Sequence, residues 1–171
     1  MTVPTGRADI VISGASFTGL TLAVALAEAL GPDLSITVLD RARRGTGEPA
    51  RPDSRASALG AASKRLLDAL GIWPGVAASA QPVTRIEITD SSLDAGIRPV
   101  ALAYDNTVDG GDPASWIVPN RDLMAAIEAK VAEHLSITVI GGVEAATLSA
   151  GPHDIAVGAR DGRSWRAALA V

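Results

Sequence analysis

The hydrophobic pattern of residues 8–40 predicts a strand, a helix and a second strand. Residues 10–12 (Ile-Val-Ile) form an apolar run rich in β-branched side chains, which is typical of a strand buried on both faces of a parallel sheet. Residues 18–30 are apolar almost all round, so we expect a buried helix. The Gly31-Pro32 pair ends that helix, and residues 34–39 return as a strand. Because a strand, a helix and a second strand follow one another in so few residues, we expect a right-handed crossover between two parallel strands.

The period of the pattern changes in the middle of the chain. Residues 53–59 run into a predicted helix with four leucines on one side, namely Leu59, Leu66, Leu67 and Leu70. From Val83, apolar and polar residues alternate, which predicts a half-buried antiparallel strand, and a second candidate strand follows at 98–104. Residues 116–118 are a third, short strand. The 83–118 block therefore predicts the start of a second sheet, separate from the parallel one.

The last third of the chain returns to a helix and several strands. Asn120 is a suitable N-cap for a helix with apolar residues at four-residue steps, which are Leu123, Ile127 and Val131. Predicted β segments follow at 136–140, 143–148, 155–159 and 165–171. Asp161-Gly162 predicts a hairpin turn between the last two, so the final segments form a β-meander.

These elements predict a fold class and a division into domains. We expect an α/β protein with a Rossmann-like βαβ unit, a parallel sheet, a β-meander and the start of an antiparallel sheet. Residues 1–80 and 119–171 would form the nucleotide-binding domain. Residues 81–118 would supply the first strands of a substrate domain.

Composition and charge remove several functional classes. The chain carries a net charge of −4, so we expect no nucleic-acid interface. Cysteine is absent, and the two histidines, His134 and His153, have no metal-ligand spacing, so we expect no disulfide and no metal site. No secretory signal is visible, which predicts a cytoplasmic protein. We identify no catalytic acid, base or nucleophile in the sequence.

The turn after the first strand is the main candidate site. Gly14 and Gly19 occupy the outer positions of a Gly-x-Gly-x-x-Gly fingerprint, in which glycines allow a sharp turn and close packing of helix on strand. Ser16 stands at the middle position, where its hydroxyl can bond a phosphate oxygen at the helix N-terminus. The candidate contacts are consecutive: Gly14, Ala15, Ser16, Phe17, Thr18 and Gly19.

An acidic residue supports this interpretation. Asp40 ends the second strand about 20 residues beyond the turn, where such folds place a carboxylate on the ribose hydroxyls. The arrangement predicts nucleotide binding in preference to an ordinary βαβ turn, and it leaves FAD and NAD open. The arginine-rich connection that follows, residues 41–53, predicts a solvated loop, although Arg41 adjoins Asp40 and is a further candidate contact.

Two more arginines stand beside predicted helix starts. Arg55 opens an Arg-x-x-Ala-Leu pattern, and Arg121 follows the helix-opening Asn120. A guanidinium fork suits a pyrophosphate, and the competing interpretation is a solvated surface arginine. With these motifs in this order, residues 8–171 resemble the N-terminal portion of the FAD-dependent aromatic hydroxylases (class A flavoprotein monooxygenases), most of all the ubiquinone-biosynthesis hydroxylases. The segments that carry the resemblance are 9–40, 55–59 and 118–123.

The resemblance implies an enzyme that binds FAD and uses NAD(P)H and O2 to hydroxylate an aromatic ring. In such families both arginines contact FAD, which assigns that role to Arg55 and Arg121. The substrate would be a simple or prenylated aromatic ring that approaches from the 83–118 block. Peripheral membrane contact of the whole protein and its oligomeric state both stay open.

The family continues past this length, with an Asp-Gly motif after the next strand and a later Gly-Asp motif that holds the ribityl and phosphate of the flavin. Asp161-Gly162 lies between two alternating β segments and is a hairpin turn instead, so the family motif would follow residues 168–171. We therefore expect residues 1–171 alone to be inactive. Two alternatives stay open: an NAD-dependent dehydrogenase, which the antiparallel 83–118 block disfavours, and a non-catalytic nucleotide-binding module.

Overall fold

The computed structural model describes residues 6–42, 53–92, 94–108 and 110–171. Most of the loop predicted at 41–53 lies outside the described residues, including Arg43, Arg44 and Arg51. The chain forms two compact units. The first unit comprises Met1–Pro52 and Met124–Val171, and the second comprises Asp53–Leu123. The functional domains expected from the sequence, with bounds at 80/81 and 118/119, stay a prediction.

The described helices and strands fall into three groups along the chain. The first group is β1 (Gly6–Arg7), β2 (Ile10–Ser13), α1 (Phe17–Leu30) and β3 (Ile36–Asp40). The second is β4 (Ala56–Gly60), α2 (Ala61–Ala69), a 3-10 turn (Trp73–Gly75), β5 (Gln81–Val83), β6 (Arg85–Thr89), β7 (Val100–Asp105) and β8 (Ser115–Pro119). The third is α3 (Asn120–Ala132), β9 (Ile137–Gly141), β10 (Ala145–Ala150), β11 (Ile155–Ala159), β12 (Ser164–Ala167) and β13 (Leu169–Ala170).

A parallel sheet of order β13-β2-β3-β9 forms one layer of the first unit. Ile10 of β2 lies opposite Ile36 of β3, which in turn lies opposite Ile137 of β9. The first three residues of β2 and the first four of β3 are buried, as apolar strands covered on both faces should be. The predicted parallel βαβ unit and the α/β fold class are confirmed.

The predicted β-meander is the second layer. Strands β10, β11 and β12 pair antiparallel, and β1 joins the edge of β12 in parallel. Gly162 turns the β11–β12 hairpin with φ +88°, a conformation that favours glycine, so the Asp161-Gly162 prediction is confirmed. The two layers share one apolar cluster: Ala8, Val11, Leu39, Val143, Val157, Trp165 and Ala167.

Helix α1 packs by one face only. Its buried residues recur at helical spacing and are Leu20, Ala23, Val24 and Ala27. Leu30 in the last turn is 52% exposed, so the expectation of a helix buried all round is wrong there. Alanine leaves little side chain on the remaining faces, which is why an apolar sequence need not be a buried one. Gly31 ends the helix with φ +86°, as predicted.

The second unit contains two antiparallel sheets, of orders β4-β8-β5 and β6-β7. Residues 56–60, which the sequence assigned to the entry of a helix, form β4 instead. They pair in register with β8, from Ala56 opposite Pro119 to Gly60 opposite Ser115. The helix begins only at Ala61. Long-range pairing therefore overrides the helical leucine spacing at this point.

The β6-β7 hairpin confirms the predicted alternation but not the predicted burial. Ile86 lies opposite Tyr104 and Ile88 opposite Leu102, so these four side chains share one face. Ile88, Leu102 and Tyr104 are 47%, 53% and 45% exposed, which makes the face apolar and open. Within the described ranges, no helix has the length and apolar character to cross a membrane.

Candidate functional site

The glycine turn joins β2 to α1 in a geometry that its two glycines permit. Gly14 has φ +114°, in the region that side chains with a Cβ rarely adopt. At Gly19, a Cβ would stand 1.9 Å from the carbonyl oxygen of Gly14. The first turn of α1 therefore packs directly on the end of β2, and both roles predicted for these glycines hold in the structure.

Asp40 closes this turn from the neighbouring strand. Its Oδ2 accepts a hydrogen bond from the backbone N–H of Ala15 at 2.6 Å, and its Oδ1 accepts one from the N–H of Ala42 at 2.7 Å. Ala15 is 1% exposed, so its N–H depends on a protein partner. A carboxylate has about four acceptor positions, so Asp40 retains capacity for hydroxyl donors. The sequence assigned Asp40 to ribose alone and missed its structural role.

The N-terminus of α1 is open to an anion. Ser16 is the N-cap residue, it is exposed, and its side chain makes no capping hydrogen bond. Its carbonyl accepts the first helical bond, from the N–H of Leu20 at 3.0 Å. Phe17 and Thr18 follow in the first turn, which contains no acidic residue. Free N–H groups and the helix dipole at such a terminus favour negative charge.

A cavity of about 220 Å³ lies at the carboxyl ends of β2 and β3. Gly14, Asp40 and Arg41 line it, together with Glu144 from the connection between β9 and β10 and Ala145 at the start of β10. Ligands of open α/β sheets bind at this end of the strands. The sequence identified the first three residues, but the contribution of the β9–β10 connection depends on the strand order, which local patterns do not encode.

Strand pairing in the second unit brings the two motif arginines next to each other. Arg55 directly precedes β4, and Arg121 is the second residue of α3, which begins directly after β8. The N–H of Asn120 donates to the carbonyl of Arg55 at 3.0 Å. Arg121 therefore stands at a helix start as predicted, whereas Arg55 stands at a strand start, and that part of the prediction is wrong because residues 56–60 pair with β8.

The guanidinium groups of both arginines are exposed and carry an acidic partner. Arg121 is 74% exposed in its side chain, and its Nε lies 3.0 Å from Asp122. Arg55 is 80% exposed, and it donates from Nε and Nη2 to the two carboxylate oxygens of Asp53 at 2.9 and 3.0 Å. These hydrogen bonds hold the pKa of Asp53 well below its usual range.

A buried polar network supports Arg55, and the sequence missed it. Asn120 is 9% exposed; its Oδ1 accepts from the Ser57 hydroxyl at 2.7 Å, and its Nδ2 faces Asp53 at 3.4 Å. Asp53 also accepts from the backbone N–H of Arg55 at 3.0 Å. That i to i+2 contact is an Asx turn, which the Asp-Ser-Arg sequence could have indicated.

Neither histidine lines the candidate cavity. His134 follows α3, and its Nε2 lies 3.3 Å from a carboxylate oxygen of Glu28 on α1. His153 is exposed in the turn between β10 and β11. Over the ranges that the structure describes, no cluster of His, Cys, Asp and Glu is arranged to hold a metal ion.

Solved structures identify the class of fold. No protein-family model matches the chain. PqsL, a probable FAD-dependent monooxygenase from Pseudomonas aeruginosa, superimposes with a TM-score of 0.71 at 19% identity over 96% of this chain and 41% of its own. The flavin-dependent monooxygenase PieE, solved with FAD and substrate, gives 0.73 at 22% identity over 98% and 30%. The chain has the fold of the corresponding part of these monooxygenases.

One sequence relative is more specific. The ubiquinone hydroxylase UbiL of Rhodospirillum rubrum is 31% identical over 164 residues, which cover 96% of this chain and 36% of UbiL. The chain therefore spans about a third of the length of this relative. With the structural likeness, this match confirms the resemblance to the N-terminal portion of FAD-dependent aromatic hydroxylases.

Proposed function

We propose that this chain is the FAD-binding N-terminal part of a monooxygenase that hydroxylates an aromatic ring with NAD(P)H and O2. The observation that carries the proposal is the glycine turn, in which α1 begins in contact with the end of β2 and beside the cavity. FAD would supply the redox chemistry, and the residues of the chain bind and orient it.

The pyrophosphate binds at residues 14–19. Gly14 and Gly19 let the backbone turn without side chains in the way, and the first N–H groups of α1 meet the phosphate oxygens. The uncapped Ser16 stands at the position where the fingerprint usually has glycine, and its side chain limits how closely the backbone approaches the phosphates. The local chemistry therefore fits a diphosphate.

The adenosine part binds in the cavity beyond Asp40. The carboxylate keeps its two backbone hydrogen bonds and accepts the ribose hydroxyls with its remaining positions. Arg41 lines the same cavity and is exposed, which suits a contact at the rim. An acid at this position disfavours a 2′-phosphate on the ribose.

Arg55 and Arg121 extend the proposal to the second unit. The family resemblance assigns both to FAD, and each presents an exposed guanidinium beside the same strand pair. The open apolar face of the β6-β7 hairpin supports an aromatic substrate on the side of residues 81–118, which we propose as the substrate domain. A role in ubiquinone biosynthesis rests on the UbiL match, and a cytoplasmic location stays a prediction.

The first test is the visible absorption spectrum of the purified protein, followed by a titration of its cofactor-free form with FAD. We expect saturable quenching of flavin fluorescence and competition by ADP, because residues 14–19 and Asp40 would hold that half of FAD. Saturable binding of NADH in place of FAD would instead support the dehydrogenase. A colourless protein that neither FAD nor NADH stabilises against heat would refute the proposal.

Matched arginine variants test the assignment in the second unit. Arg55→Ala and Arg121→Ala should each weaken FAD binding roughly tenfold, as expected for the loss of a charge-assisted contact. Arg65→Ala is the control, because Arg65 is an exposed arginine on α2 that lies outside both motifs. Equal losses in all three variants would show a general effect of charge and contradict specific contacts.

A further inference from the structure

Among the described acidic side chains of the second unit, Asp53 accepts the most hydrogen bonds. Its Oδ1 accepts from the backbone N–H and the Nε of Arg55, and its Oδ2 accepts from Nη2 of Arg55 and faces Nδ2 of Asn120. These four contacts fill the acceptor positions of a carboxylate. Asp53 therefore has no acceptor position left for a hydrogen bond to a ligand, and it can act on one only through its charge or through the orientation that it gives Arg55.

The contacts fix one edge of the Arg55 guanidinium and leave the other open. Asp53 engages Nε and Nη2, the side edge of the fork. One N–H of Nη1 and the second N–H of Nη2 point along the end edge, where no side chain of the described residues accepts them. With its side edge held by Asp53, the guanidinium keeps its end edge for a second pair of parallel hydrogen bonds, such as those to two oxygens of a phosphate.

The support behind Asp53 is buried, unlike the guanidinium itself. Asn120 is 9% exposed and receives the Ser57 hydroxyl on Oδ1. Because a carboxylate only accepts, the amide nitrogen is the end of Asn120 that must face Asp53. The backbone of Asn120 also holds the carbonyl of Arg55. An exposed ion pair alone contributes little, whereas this one is attached to an ordered strand and helix start.

We infer that Asp53 is a positioning residue that sets the plane of the Arg55 guanidinium and presents its free edge to an anionic cofactor, with Ser57 and Asn120 as the fixed support. The inference rests on the proposed function for the identity of that cofactor, FAD. It predicts that removal of a negative charge near an anion site weakens binding of the anion, which is the opposite of what simple electrostatics gives.

The experiment is a double-mutant cycle on the FAD dissociation constant of the purified protein, read from flavin fluorescence. Asp53→Ala should weaken binding roughly tenfold, the effect of about one hydrogen bond to a charged group, and should have no further effect in an Arg55→Ala background. Asp68→Ala is the matched control, because Asp68 is an exposed aspartate of the same unit, paired with Lys64. It should leave the constant unchanged.

Each outcome decides between two explanations. FAD binding by Asp53→Ala that equals or exceeds wild type would overturn the inference, and so would an equal loss in the Arg55→Ala background, because Asp53 would then act on the fold in general. If Asp53→Ala does not fold, Asp53→Asn keeps the shape and one acceptor and should weaken binding in the same direction. Absence of FAD binding by wild type would instead refute the proposed function, and the inference with it.

Discussion

Substitution of Gly19 by alanine tests the glycine turn without any cofactor. The new Cβ would lie 1.9 Å from the Gly14 carbonyl oxygen, and real Cβ contacts essentially never fall below 3.0 Å. The difference between these distances requires a displacement of at least 1.1 Å. The opposing atom belongs to the backbone of the turn, so no side-chain rotation can relieve the clash, and α1 must move away from β2.

The expected cost follows from two opposing effects. Overpacking of this kind costs about 1–3 kcal/mol, and the upper end applies where the neighbour is backbone. Alanine is a better helix former than glycine by about 1 kcal/mol, which offsets part of the cost. We expect Gly19→Ala to lower the free energy of unfolding by about 2 kcal/mol and the melting temperature by about 4–8 °C.

Urea unfolding of the cofactor-free protein measures this change, with far-ultraviolet circular dichroism for the helices and tryptophan fluorescence for the packing around Trp165. Trp165 is 4% exposed and belongs to the apolar cluster of the same unit. Gly96→Ala is the control, because a Cβ at Gly96 meets nothing within 4 Å and its φ is not positive. A stability of Gly19→Ala equal to that of wild type would refute the close packing of α1 on the turn.

Three further predictions concern the same unit. Asp40→Ala removes the carboxylate that accepts from the backbone N–H groups of Ala15 and Ala42 and should cost about 1–3 kcal/mol of stability even without nucleotide; unchanged urea midpoints would contradict this. Ser16→Gly should tighten FAD binding by restoring the usual fingerprint; unchanged or weaker binding in a fluorescence titration would identify the hydroxyl as a phosphate contact. Hydrogen bonds from Ser35 lower the pKa of Asp9, so their stabilisation is present above about pH 4 and is lost on further acidification; Ser35→Ala should flatten that loss in acid unfolding curves.

The sequence was sufficient where the signals are local. The glycines at 14, 19 and 162 impose backbone geometry by themselves, and the structure shows each of them in the predicted role. The run of buried residues in β2 and the helical spacing of Leu123, Ile127 and Val131 were equally direct. These features predicted the parallel unit, the meander and the centre of the candidate site.

The features that the sequence did not predict depend on pairings between residues that are distant in the chain. Residues 56–60 contain Leu59, which the sequence pattern groups with the leucines of the following helix, and only their partners at 115–119 make them a strand. The same pairing puts Asn120 beside Arg55 and creates the network around Asp53, which no local pattern encodes. Exposure of the β6-β7 hairpin was also beyond the sequence, because alternation indicates that one face is apolar and does not say what covers it.

The position of β13 beside β2 has a consequence for synthesis of the protein. Leu169 pairs with Ile10 and Ala170 with Val11. One edge of β2, the strand that leads into the glycine turn, therefore has no partner until residues 169 and 170 have been synthesised. The pairs of the second unit lie within residues 53–123 and can form earlier on the ribosome. During translation the apolar strand β2 therefore has an unpaired backbone edge. Such strands are prone to aggregation, and chaperones protect them.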